Sequence, residues 1–375
     1  MPGAQIVVIG LGATGSAALY QLARRGIRAV GIEQFALGHD RGSSHGPTRI
    51  IRLAHFENEA YVPLMRRAYA LWREFESIAG EKLLHITGLL EIGPENGTIV
   101  QGTLAAVRKH DLKPEILDAG AAMRRYPAYK LPPDYKAIVQ PDGGYIEAAR
   151  ALAAMLRAAA AAGAVVRTGE KVIGIEPRAG GVRVTTNREA IDADGAVVAA
   201  GPWMQGLIPQ LHLPLTVTRQ VVGWFEPRDP AQFTEDRFPV FILESQYGNH
   251  YGFPSYGRAG VKIAKHHHLR QAVDADTYNK SVMAEDEAAI REPLSQYLPG
   301  ANGRLLEAQT CLYTMTPDDT FVVDRVPGSP HVVIASPCCG HGFKFAPIIG
   351  EIIADLLTRG TTGHDIAQFR LARFP

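Results

Sequence analysis

The run Ile6-Val7-Val8-Ile9-Gly10-Leu11-Gly12-Ala13-Thr14-Gly15 opens the chain, and Ala29-Val30-Gly31-Ile32-Glu33 follows it. Four apolar residues read as a buried strand, and the glycines that follow have separate uses. Gly10 permits a tight turn, Gly12 lets the backbone approach a pyrophosphate, and Gly15 lets a helix lie close against the strand. The pattern predicts a helix over 13–25, whose free N–H groups and positive dipole end would face phosphate. Glu33 ends the second strand eighteen residues past Gly15. There it can accept hydrogen bonds from a ribose diol and would repel a 2′-phosphate. A glycine turn alone is a weak signal. Strand, helix and acid in register make dinucleotide binding the leading reading, without separating NAD from FAD. Directly behind stands Gly42-Ser43-Ser44-His45-Gly46-Pro47-Thr48-Arg49-Ile50-Ile51-Arg52. Hydroxyls, an imidazole and two guanidiniums there are more chemistry than a nucleotide domain requires.

At 375 residues the chain is long enough for two domains with full cores. It is 46% hydrophobic and 21% charged, with a net charge of +1, which gives no reason to expect a nucleic-acid or membrane partner. No uninterrupted apolar run is long enough to span a bilayer. The first strand begins within about five residues of the start, which leaves no room for a signal peptide. Three cysteines (Cys311, Cys338, Cys339) make no disulfide framework. The expectation is a cytoplasmic protein.

Tyr61, Leu64, Met65, Ala68, Leu71, Trp72 and Phe75 recur at helical spacing within 57–80. A strand is expected over 87–93, a helix over 97–109 and an Ala-rich helix over 148–162. Residues 172–176 and 182–186 read as a hairpin around Gly180-Gly181. Strands are expected at 196–199, at several places within 215–265, at 321–324 and at 331–335, and helices at 284–297 and 343–357. Dinucleotide-type β-α elements thus occur in three separated parts of the chain, with sheet-rich parts between. The fold expected is α/β (α+β), with a discontinuous nucleotide domain over 1–80, 145–214 and 317–375. An antiparallel-sheet domain would be inserted over 81–144 and 215–316.

Five blocks in this order resemble the monomeric sarcosine oxidase family, which includes N-methyltryptophan oxidase and the pipecolate/sarcosine oxidases. They are Gly10 to Gly15 with Glu33; Gly42 to Arg52; Tyr251-Gly252-Phe253-Pro254 with Lys262; Cys311-Leu312-Tyr313-Thr314; and Gly340-His341-Gly342-Phe343-Lys344-Phe345. The resemblance covers essentially the whole chain. It implies a p-hydroxybenzoate-hydroxylase-like FAD domain and FAD attached through its 8α-methyl to Cys311. It also implies a monomer that oxidises a secondary amino acid, with O₂ reduced to H₂O₂. Gly10, Gly12, Gly15, Glu33, Ser43, Ser44, Thr48, Cys311, Gly340, His341, Gly342, Phe343 and Lys344 would hold the cofactor. His45 and Arg49 match residues packed against the isoalloxazine, and Tyr251 and His266 match residues lining the substrate pocket. Lys262 matches the lysine that assists O₂ reduction, and Arg52 and Lys344 match the pair that grips the substrate carboxylate.

Each residue also has a plainer reading. Cys311 alone reads as a small buried hydrophobe, Lys262 as a solvent-facing lysine, and Arg52 and Lys344 as surface charges. Lys344, though, is expected in the first turn of a helix, where the dipole disfavours a cation. Cys338-Cys339 replaces part of a turn that is usually Ser-Gly in the family, and is read as structural, with a redox or competing attachment role left open. His266-His267-His268 invites a zinc reading. On a strand, neighbours face opposite sides, and no cysteine or paired acid stands close by, so no metal is expected. An NAD-dependent dehydrogenase, and a flavin enzyme with an acceptor other than O₂, remain the alternatives.

Overall fold

The computed structural model describes residues 5–374. It is a mixed α/β molecule built on two large sheets. The six-stranded sheet runs in the order Val322–Val326, Ser329–Ser336, Gly195–Val198, Gln5–Ile9, Arg28–Glu33 and Val165–Thr168. Its pairs are parallel except at the Val322–Val326 edge. A parallel sheet must be covered on both faces, and alternate residues of Gln5–Ile9 show how. Ile6 and Val8 enter a core with the helices Ala13–Ala23, Ala148–Ala161 and Ala346–Arg359. Val7 and Ile9 enter a second core on the three-stranded sheet of Val172–Arg178, Gly181–Thr186 and Ala190–Ala193. The helices lie close because their facing residues are small: a Cβ on Gly350 would stand 2.7 Å from the Ala17 carbonyl.

The eight-stranded sheet runs Leu305–Met315, Thr216–Phe225, Val261–Lys265, Gly248–Phe253, Val240–Ser245, Leu89–Pro94, Tyr135–Gln140 and Glu115–Asp118. Its neighbours are antiparallel except Val240–Ser245 with Leu89–Pro94, where two distant parts of the chain meet in parallel. Thr48–Ile51, Gly144–Glu147 and Leu84–His85 form a small sheet of their own.

Several sequence expectations shift in detail. The helix expected over 57–80 is Tyr61–Ala79, so Glu57 lies in a loop and lines the main cavity. Leu84–His85, assigned to the inserted domain, pairs instead with Gly144–Glu147. The helix expected from Phe343 begins at Ala346, after a 3₁₀ turn over Phe343–Phe345. The three histidines are not on a strand. Val261–Lys265 ends before them, and His267 and His268 take left-handed backbone with φ of 61° and 33°.

Candidate active site

One cavity of about 950 Å³ runs through the molecule. It is lined by the glycine turn, Glu33, the 42–49 loop, Lys262, Cys311 and the 340–344 turn.

The turn out of Gln5–Ile9 is built for close approach. Gly10 has φ +86°, and a Cβ there would lie 2.7 Å from the Ala199 carbonyl oxygen; a Cβ on Gly15 would lie 1.8 Å from the Gly10 oxygen. Helix Ala13–Ala23 has no acidic residue in its first turn, its N-cap residue Gly12 has no side chain to cap it, and its start opens into the cavity. Ser44 Oγ accepts from the Ala13 amide at 3.0 Å. Glu33 is 6% exposed; it accepts from the Leu11 amide at 2.9 Å and the Phe35 amide at 3.0 Å, which fixes the carboxylate in the cavity wall.

The 42–49 loop is clasped by its own arginine. Arg49 donates to the carbonyls of Ser43, His45 and Thr48 at 2.9, 2.5 and 2.9 Å. His45 Nε2–H donates to the Thr310 carbonyl at 3.0 Å, and burial, with Arg49 adding repulsion, holds its pKa below the usual histidine range. Among the described residues, Ser43 Oγ, His45 Nδ1, Ser336 Oγ and His341 Nε2 are buried in the cavity wall without a hydrogen-bond partner. Such groups are costly unless a ligand meets them. Together with a dinucleotide turn that a Cβ would fill, they fit FAD.

Lys262 is 5% exposed and donates from Nζ to Thr48 Oγ1 at 3.0 Å and to the Thr48 carbonyl at 3.1 Å. Burial, then Arg49, push its pKa well below the usual lysine value. Cys311 stands opposite Gln220 on Leu305–Met315 and lines the cavity; burial raises its thiol pKa, while Arg49 and Lys262 pull the other way. The two remaining thiols part company. Cys338 lines the cavity and accepts from the Thr314 amide at 3.3 Å, whereas Cys339 is buried in the core beside Thr316.

The Gly340-His341-Gly342 turn admits no side chain at either glycine. A Cβ on Gly340 would lie 2.6 Å from the rings of His266 and Tyr313, and one on Gly342 only 1.4 Å from the Pro337 oxygen. His341 Nδ1–H donates to the Cys339 carbonyl at 2.8 Å, and burial takes its pKa down to about 4. Lys344 is 3% exposed, donates to the His341 carbonyl at 2.6 Å, and is pushed by burial and Arg52 down to about 7. Tyr251 faces Tyr313, hydroxyl to hydroxyl, at 3.5 Å, and burial raises both pKa values. His266 is held neutral, first by burial and then by His267. Phe343 completes this wall. Among the described residues no cluster of three or more ligand-type side chains could hold a metal.

Arg52 differs from the expectation of a free fork. Its Nη2 lies 2.5 and 2.6 Å from the Glu57 oxygens, and its Nη1 2.8 Å from Glu91. Glu91 is fully buried and also accepts from Thr103 and Gln140, each at 2.7 Å. Sequence reasoning missed both acids. Glu91 had a signal, since a carboxylate within Leu89-Leu90-Glu91-Ile92 needs a buried partner. Glu57 was hidden inside an expected helix.

Residues 5–356 match the family described as DAO, FAD dependent oxidoreductase. The chain is 39% identical over 373 residues to monomeric sarcosine oxidase of Bacillus sp. (strain NS-129), covering 98% of this chain and 96% of that one. It is 35% identical to N-methyl-L-tryptophan oxidase of Yersinia pestis (strain Pestoides F), covering 98% and 99%. Among solved structures, NikD, an unusual amino acid oxidase essential for nikkomycin biosynthesis, superposes in its open form with a TM-score of 0.84 at 28% identity, covering 97% and 96%. Glycine oxidase from Geobacillus kaustophilus shares the fold with a TM-score of 0.81 at 20% identity, covering 99% and 100%. Fold and cavity define an FAD-dependent oxidoreductase. Within that class the chain belongs to the monomeric sarcosine oxidase family.

Proposed function

We propose that this enzyme oxidises a secondary amino acid, N-methylated or cyclic, at the carbon beside nitrogen, with O₂ as acceptor and H₂O₂ as product. The imine formed hydrolyses to amine and aldehyde. One observation carries the reading: the cavity that holds the dinucleotide turn also holds two buried cations, Arg52 and Lys344, close enough to repel each other. Glu57 and Glu91 offset part of that repulsion, and a substrate carboxylate placed between the two cations would take over the share of Glu57. It must compete with Glu57 for the Arg52 fork, while Glu91 keeps Nη1 in place.

FAD, when bound, supplies the two-electron acceptor. Gly10, Gly12, Gly15, Glu33, Ser43, Ser44, Thr48, the Gly340–Phe343 turn and Lys344 would hold it, and Cys311 would be its point of covalent attachment. His45 and Arg49 pack beside the ring system. Tyr251, kept protonated, and His266, kept neutral, line the amine side, so an amine without its proton meets no competing imidazolium. Lys262 presents a charge that stabilises developing negative charge on oxygen. Apart from Leu84–His85, which pairs with Gly144–Glu147, the strand memberships support a division into an FAD domain (1–80, 145–214, 317–375) and a substrate domain (81–144, 215–316), and we read the chain as a cytoplasmic monomer. No helix among the described residues is long and apolar enough to cross a membrane.

The test is a panel of sarcosine, N-methylalanine, N-methyltryptophan, proline and pipecolate, each followed for H₂O₂ release. Stoichiometric peroxide with at least one is expected. Flavin reduction without peroxide would move the assignment to another acceptor, and no reduction by any of them would overturn it.

A further inference from the structure

Lys262 is a buried ammonium that no ion pair holds among the described residues. The titratable groups that bear on it are Arg49 and Arg258, which repel it, and the Cys311 thiol. What surrounds it follows from sheet register. Trp224 and Phe253 are the direct cross-strand partners of Lys262 on its two neighbouring strands, and Glu307 is the partner of Trp224. Residues directly opposite in a sheet share a face. Glu307, Trp224, Lys262 and Phe253 therefore form one row. The Lys262 Nζ sits 4.5 Å from the Phe253 ring centre and 5.6 Å from that of Trp224. Both rings are almost fully buried, and both line the cavity. The Trp224 ring is itself held, because Arg258 lies 4.7 Å from its centre and donates to Glu307 at 2.7 Å.

We propose that Trp224 and Phe253 are positioning residues for Lys262, an aromatic clamp that seats its ammonium against Thr48 and keeps it charged without a counter-ion. The physical point is the sign of the field. A carboxylate partner would stabilise the lysine but cancel much of its positive potential in the cavity. A ring face stabilises a cation through its quadrupole and carries no net charge. The lysine thus keeps its full charge while directed at the cavity, which is what stabilising reduced oxygen requires. Burial, Arg49 and Arg258 all favour the neutral amine, and the rings oppose them. Removing a ring must lower the lysine's pKa further. The proposal rests on the reading that Lys262 serves oxygen reduction.

The experiment uses holoenzyme labelled with ¹³C at lysine Cε, with the Lys262 signal assigned by its loss in Lys262→Met. In Trp224→Leu the Lys262 titration should move down by about one pKa unit or more, the effect of losing a desolvated ring contact. Reoxidation of reduced flavin by O₂ should slow by about tenfold near neutrality, and its loss at high pH should begin at a lower pH. Reduction by substrate should change by less than about twofold. Trp224→Phe should restore most of both effects, and Trp224→Leu should add nothing to Lys262→Met. Phe253→Leu should move the titration the same way, and together with Trp224→Phe it decides the matter if Trp224→Leu does not fold. An unmoved lysine titration, or equal slowing of the two half-reactions, overturns the clamp. If Lys262→Met itself reoxidises like the wild type, the oxygen role of Lys262 falls, while the titration still decides whether the rings hold the charge.

Discussion

Lys344 carries the pH behaviour of the site. Burial and Arg52 hold it down to about 7, against the opposing pull of Glu57 and Glu91. Below that value it is charged and a carboxylate gains a partner. Above it the free site loses the proton, and binding must restore it. Affinity for methoxyacetate, which has the carboxylate but no amine, should therefore fall as pH rises above about 7, and Lys344→Met should flatten that dependence; flavin absorbance titration reads both. Arg52 has a second effect that its place in a motif did not disclose. In Arg52→Ala, Glu91 loses its counter-ion while remaining buried, a situation worth about 3–5 kcal/mol. The variant should melt at a clearly lower temperature as well as show a raised KM, and an unchanged melting curve would mean that Glu91 is not held by this pair. Cys311 makes a simpler case. Acid-precipitated wild type should keep its yellow colour in the pellet, and Cys311→Ala should release it. Colour retained by the variant would point to Cys338, which also lines the cavity, rather than to Cys339 in the core. Of these residues, the cations and the thiol were legible because they stand inside motifs. Glu57 and Glu91 were not, because only tertiary structure brings acids five and thirty-nine residues away onto Arg52.

At the scale of elements, the glycine turns are the best-defined parts. Gly342→Ala would put a methyl 1.4 Å from the Pro337 oxygen, so the turn holding His341 and Lys344 must open. The loss should exceed the roughly 1–3 kcal/mol of ordinary overpacking. Thermal melting and flavin content check it together, and a stable, yellow Gly342→Ala protein would show that the turn can move. Regular, strongly patterned elements were readable from local chemistry. The hairpin around Gly180-Gly181 forms with Arg178 opposite Gly181, and the helix expected over 284–297 is Ala284–Tyr297. Tyr135–Gln140 and Leu305–Met315 escaped. Such strands take their identity from neighbours far away in sequence, and their residues carry no clear period of their own. The histidine run misled for a related reason. The strand pattern ends at Lys265, and nothing local announces the left-handed backbone at His267 and His268.

For the whole molecule, the three-part composition of the nucleotide fold was visible because its β-α units recur in the chain. The pairing order of the eight-stranded sheet was not visible, since register is a property of contacts between strands. One buried group makes its stability testable. Burial alone would raise the pKa of Asp286, but two bonds from Arg219, one from the Met283 amide and one with His268 bring it below the usual range. A carboxylate depressed in the folded state contributes stability above its unfolded pKa and loses it as pH falls. Urea midpoints should hold steady down to about pH 4 and drop below it. Asp286→Asn should lower the midpoint near neutrality and lessen the acid drop, and a variant with an unaltered acid profile would assign that loss to other groups.

The parallel seam between Val240–Ser245 and Leu89–Pro94, and the late arrival of Ser329–Ser336 beside Gly195–Val198, bear on how this protein is made. Neither large sheet can close from a contiguous stretch of nascent chain. The N-terminal strand Gln5–Ile9 waits for Gly195–Val198 at one edge, and that strand waits for Ser329–Ser336. Pairings so distant fold slowly, and sheet edges left open meanwhile invite association with other chains. Ribosomes stalled before residue 329 should therefore display a protease-sensitive chain that holdase chaperones bind, and release of the full-length product should abolish both properties within one folding time.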